Sequence, residues 1–155
     1  MSIAQLKVSV GWVNDPPTVE APDTVIVVAS KAVIEPSLVP GIRVEDADVE
    51  DAPEGLGRLD VNVSTSMGSA LAVDTTIALK NGLRNIGSSE QHVRMLGQPE
   101  YVNNVLATLT ISPNTTDGTT SFAPGDRIEV ISVVVSDLGF SGSGGEQSAT
   151  ASIVV

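Results

Sequence analysis

A chain of 155 residues is long enough for one ordinary domain to bury a core without a metal or disulfide as an obligatory staple. Its 8 Lys and Arg face 19 Asp and Glu, a net charge of −11 with a pI near 4.2, and its bases are scattered, which excludes nucleic acid and other polyanions as partners. It has no cysteine, hence no disulfide, thiolate metal site or Cys nucleophile, and no apolar run reaches the roughly 18 to 20 residues of a bilayer span, so membrane insertion is not expected.

Val, Ile, Thr, Ser and Gly recur in short runs separated by Pro, Gly, Asn and Asp, which predicts an all-β fold. Aromatic residues are only 3%, so the core must be aliphatic. Residues 1–10 lack the basic start and apolar centre of a signal peptide; the signal of an exported parent would lie outside this piece. Within them Ala4, Leu6, Val8 and Val10 alternate with Gln5, Lys7 and Ser9, the pattern of a half-buried strand. The carboxyl end repeats it in phase with Ala149, Ala151, Ile153 and Val155, an offset of 145 residues from Ala4 to Ala149. Either residues 1–12 are the terminal strand of a preceding repeat, or two edge strands of one sandwich look alike. The stretch Val13-Asn14-Asp15-Pro16-Pro17 is stiff and extended because each Pro fixes its own φ and biases its predecessor. It reads as an inter-repeat linker over 13–17, followed by a module over 18–155.

Strand candidates follow at 24–29, 41–44, 58–64, 70–73, 76–79 and 92–96. Between them the loop 45–54 holds six carboxylates and no base, which makes a hard cation its natural partner. The one helix expected lies over 99–106, with Pro99 in its first turn and apolar residues at 102, 105 and 106. Residues 107–112 run into a turn cluster at 113–118. The longest strand is expected over 127–136, where the alternation changes phase near Val130-Ile131, by a bulge or by burial of both faces. Residues 139–145 form a Gly/Ser loop.

By its motifs in order the chain resembles the cadherin-like repeats of large extracellular and cell-surface adhesion proteins. The resemblance is carried by Asn14-Asp15-Pro16-Pro17, by 41–48 with Asp46-Ala47-Asp48, by 102–114 beginning Val102-Asn103-Asn104-Val105, and by Ser136-Asp137-Leu138-Gly139. It implies an immunoglobulin-like antiparallel β-sandwich used in tandem. It also implies Ca²⁺ at the junction between modules, with Asn14, Asp15, Asp46, Asp48 and Asp137 as metal residues. The Leu-Asp-Arg-Glu segment of true cadherins has no counterpart, which favours a reduced site of one or two ions. The partners implied are neighbouring copies of the same repeat, in homophilic or filament contacts, and the location is extracellular.

Other constellations weigh less. His92 has no second His or Cys nearby, no Ser sits in a nucleophile-elbow pattern, and carboxylate pairs can be drawn anywhere in so acidic a chain, so no enzyme is expected. Asn62-Val63-Ser64 and Asn114-Thr115-Thr116 fit the glycosylation pattern, with both Asn expected to face solvent. Trp12 reads as an anchor for the module junction. Two function classes stand: a structural or adhesive repeat rigidified by calcium, and a carbohydrate- or protein-binding module on the same fold. One Trp, one Tyr and two Phe are few for a sugar site, which favours the first.

Overall fold

The computed structural model describes residues 11, 13–27, 35–49, 52, 56–80, 87–89, 91–112, 129–140 and 142–155. The strand expected over 2–10, Trp12, the acidic Glu50, Asp51 and Glu54, the turn over 113–118 with Asn114, and Ile128 lie outside them. The elements are β1 (Thr18–Glu20), β2 (Ser37–Leu38), β3 (Arg43–Glu45), β4 (Leu59–Thr65), β5 (Ala70–Ala72), α1 (Thr75–Lys80), β6 (Gly87–Ser89), β7 (His92–Gly97), α2 (Pro99–Leu106), β8 (Thr110–Ser112), β9 (Val130–Ser136) and β10 (Ser148–Val154).

Alternation builds the larger layer. Strands β10, β9, β4, β7 and β6 pair antiparallel in that order. Register places Ile153, Ile131 and Thr65 in one cross-strand row and Val133, Val63 and Val93 in another, so each period-2 apolar set falls on the same face. Leu59, Val61, Val63, Val93, Met95, Ile131, Val133, Val135 and Ile153 are buried there. Opposite them stand Leu71 and Ile111 from the small sheet β2–β8–β5, Val44 from the β1–β3 pair, and Val102, Val105 and Leu106 from α2. This is an all-β, sandwich-like fold, and each such aliphatic side chain stabilises it by about 1.5–3 kcal/mol when fully buried. The outer face of the large sheet is mixed: Val134 and Val154 are exposed on it, and Arg94 donates to both carboxylate oxygens of Asp60 across β4 and β7.

Several expectations are corrected. Residues 76–79, expected as a strand, belong to helix α1, because Asp74 caps it: its Oδ1 accepts from Thr76 N at 2.8 Å and Ile77 N at 3.4 Å. The cap satisfies N–H groups that the first turn of any helix leaves open, and here it outweighs the preference of the β-branched residues for extended backbone. The described residues therefore hold two helices, not one. Of the strand expected over 24–29, Thr24 makes a single parallel bridge to Val154 and 25–27 are irregular; 28–29 lie outside the described residues. Strand β9 keeps continuous register with both neighbours and has no bulge; Ile131, Val133 and Val135 face the core while Val130 is half-buried. Asn62, expected to face solvent, is half-buried on the inner strand β4, and its Oδ1 is shielded from water without a hydrogen-bond partner.

A buried carboxylate holds the end of the sandwich where β9 begins. Glu129 Oε1 accepts from Met67 N at 2.7 Å and Ser66 Oγ at 3.0 Å; Oε2 accepts from Ser69 Oγ at 2.6 Å and Ser69 N at 3.3 Å. The turn between β4 and β5 is thus wrapped around one side chain. Burial raises the Glu129 carboxyl, but the bonds from Ser69, Met67 and Ser66 outweigh it and hold the group below its ordinary value.

Candidate cation-binding pole

At the far end of β9 three distant segments meet. Strand β3 buries its central Val44 and ends on exposed Glu45, and the following residues turn sharply because Asp46 Oδ1 accepts the Asp48 N–H at 2.8 Å, an Asx turn. Asp48 Oδ2 in turn accepts the backbone N–H of Asp15. Asn14, only 3% exposed, donates from Nδ2 to Asp137 Oδ2 at 2.6 Å and to Gly145 O at 3.0 Å; its own N–H bonds Ser143 O at 3.0 Å. Gln147 Nε2 donates to Asn14 O. The segment expected as a linker is therefore fastened to the module that follows it, with Asn14 and Pro17 buried.

Asp137, also 3% exposed, closes the arrangement from β9. Its Oδ1 accepts from Gly139 N and Gln147 N, both at 2.8 Å. The turn needs Leu138 at φ 61° and Gly139 at φ 69°, and a Cβ on Gly139 would stand 2.6 Å from Glu146 N, so only glycine fits that position. All five residues expected to hold a metal, Asn14, Asp15, Asp46, Asp48 and Asp137, are thus brought to one pole. Their roles differ. Asp137 already accepts three protein hydrogen bonds and orients Asn14, whereas Asp46 Oδ2 is buried with no hydrogen-bond partner.

Electrostatics set Asp46 apart. Burial pushes its carboxyl above its ordinary value; the charges of Asp137, Asp48 and Asp15 push the same way, and the Asp48 N–H pulls against them. The ion-pairing bases are committed elsewhere, Arg43 to Glu45 at 2.6 Å and Arg94 to Asp60. Among the described residues no three acidic or imidazole side chains already stand as a finished metal cage. Among the described residues no base pairs with Asp15, Asp46 or Asp48, so the pole is a cluster of carboxylates without a charge partner, set in front of the buried Asn14–Asp137 pair.

An open groove of about 1230 Å³ runs beside this pole between β3 and the first turn of α2, with Glu20, Glu45, Asp46 and Glu100 among its walls. No aromatic ring lines it among the described residues. Gln147, which donates to Asn14 O and whose N–H bonds Asp137, helps to build the pole and stands in none of the motifs; only its place in the tertiary structure reveals it. His92 is half-buried on β7 opposite Ser64.

Comparison of the chain with family models, curated proteins and solved structures finds no match. The class is therefore defined by the chain's own features: an all-β, sandwich-like domain with an acidic pole where its amino-terminal segment docks.

Proposed function

We propose that the chain is a non-catalytic structural or adhesive module of an extracellular surface protein, rigidified by calcium at the pole formed by Asn14, Asp15, Asp46, Asp48 and Asp137. The observation that carries the reading is the convergence of these residues around a buried, unpaired Asp46 oxygen. Calcium takes six to eight oxygen ligands in flexible geometry, which a partly hydrated loop of short carboxylates supplies, while magnesium demands a tight octahedron and releases water reluctantly. Asp46, Asp48 and Asp15 are the ligands, Asn14 assists, and Asp137 holds Asn14 in place. Bound calcium would replace mutual repulsion among these carboxylates by attraction. It would also fix the direction in which 13–17 enters the module, and so the angle to a neighbouring copy.

Extracellular sites of this kind bind at around 10⁻⁴ to 10⁻³ M. Calcium at about a hundred times Kd adds about 2.7 kcal/mol to a folded state that alone binds it, which for a domain of this size raises Tm by about 5–10 °C. Thermal melting in calcium, in magnesium and in chelator checks this, for the parent and for Asp46→Ala combined with Asp48→Ala. Calcium should shift the parent, magnesium should shift it much less, and the double variant should respond to neither. Equal melting of the parent in all three conditions would make the pole a solvated turn and sink the reading.

A further inference from the structure

We infer that Asn103 is a positioning residue for the cation site, holding the Asp46–Asp48 turn at ligating geometry from inside α2. The inference rests on the calcium reading above. Strand β3 pairs with β1 through Val44 and Val19, and the N–H and C=O of Val44 are both taken by one side chain: Val44 N donates to Asn103 Oδ1 at 2.8 Å, and Asn103 Nδ2 donates to Val44 O at 2.9 Å. The carboxamide thus stands where a further strand would otherwise pair, and both bonds are needed to fix the plane of the Val44 peptide groups. Helix α2 cannot yield, because Val102, Val105 and Leu106 on either side of Asn103 are fully buried.

From that clamp the backbone runs directly through Glu45 into the pole. Two residues beyond Val44, Asp46 Oδ1 accepts Asp48 N, and Asp48 Oδ2 accepts Asp15 N. The ligating turn is therefore fastened at its root to the helix and at its tip to the amino-terminal segment. Its two carboxylates, Asp46 and Asp48, carry like charge two residues apart and repel each other. Without the clamp at Val44 the turn can spread to relieve that repulsion, and a cation would have to gather it again. Partners that hydrogen-bond a metal ligand change affinity by about 10–100-fold when removed, and Asn103, which holds the backbone two residues before Asp46, is expected at the low end of that range.

The test is calcium titration of the full chain, with Tm in chelator measured separately, for the parent, Asn103→Ala, Asn103→Leu, Asn104→Ala and Glu129→Gln. Asn104 is the exposed neighbour on the same helix, and Glu129→Gln weakens the fold at the opposite end of β9. The expected result is a calcium Kd at least about tenfold weaker in whichever Asn103 variant folds, with the parent value retained by Asn104→Ala and by Glu129→Gln despite the latter's lower Tm. An Asn103 variant that melts lower in chelator yet keeps the parent Kd would reduce Asn103 to a fold clamp and overturn the inference while leaving the calcium reading intact. A parent chain that binds no calcium would overturn both.

Discussion

Replacing Glu129 by Gln keeps the shape of the side chain and removes its charge, which isolates what the carboxylate contributes. The retained oxygen can still accept from Met67 N and Ser66 Oγ, now as a neutral acceptor. The new amide would face Ser69 N, a buried donor that formerly bonded Oε2, while the Ser69 hydroxyl can rotate to accept. One buried donor left without its acceptor costs about 1–3 kcal/mol. Weakening of the two remaining charge-assisted bonds adds about 1 kcal/mol more. A total near 2–4 kcal/mol lowers Tm by about 4–16 °C for a domain of this size. The pH dependence has a definite sign. Because the folded carboxyl sits below its ordinary value near 4.5, its stabilisation is complete above that pH and is lost as pH falls through the folded value. The gap between parent and Glu129→Gln should therefore be flat from pH 6 to 8 and shrink below pH 4.5. Urea unfolding at a series of pH values measures it. A variant as stable as the parent at pH 7, or a gap that widens in acid, would refute the account of Glu129 as a buried ionised clamp.

Asp46→Asn in chelator at pH 7 should melt at or above the parent, because a carboxyl raised above its ordinary 3.8 destabilises the fold when ionised, and this cost disappears only as pH falls toward and below that value. The same variant should lose most of the calcium shift; a variant less stable in chelator with a full calcium shift would contradict both points. Gly139→Ala places a Cβ 2.6 Å from Glu146 N at a positive φ and should cost at least about 1–3 kcal/mol in chemical denaturation. It should also weaken calcium binding by moving Asp137. Asp74→Ala removes the cap of α1 and should cost about 1 kcal/mol, seen as a small drop in Tm without a change in calcium affinity.

Strands β4, β7 and β10 were legible in the sequence because a period-2 apolar pattern is local and survives wherever one face of a sheet is buried. Helix α2 was legible for the same kind of reason, since Pro99 and the spacing of Val102, Val105 and Leu106 are features of one segment. The acidic loop could be singled out from the six carboxylates of 45–54, and the ordered motifs of the resemblance named Asp46 and Asp48 with the other residues of the pole. Helix α1 was not legible, because Thr75, Thr76 and Ile77 favour extended backbone and turn into a helix under the carboxylate of Asp74, a residue whose backbone N–H is anchored on Thr108 Oγ1. The paired two- and three-residue strands β1, β2 and β3 are too short to show a period and exist through their partners. Tertiary structure alone decided the roles at the pole: which carboxylate is satisfied by backbone donors and which keeps a buried, unpaired oxygen depends on atoms brought from opposite ends of the chain. No local pattern encodes that Asn14 meets Asp137, that Asp15 meets Asp48, or that Asn103 grips Val44, because hydrogen-bond geometry is fixed only after the core has set the distance between segments.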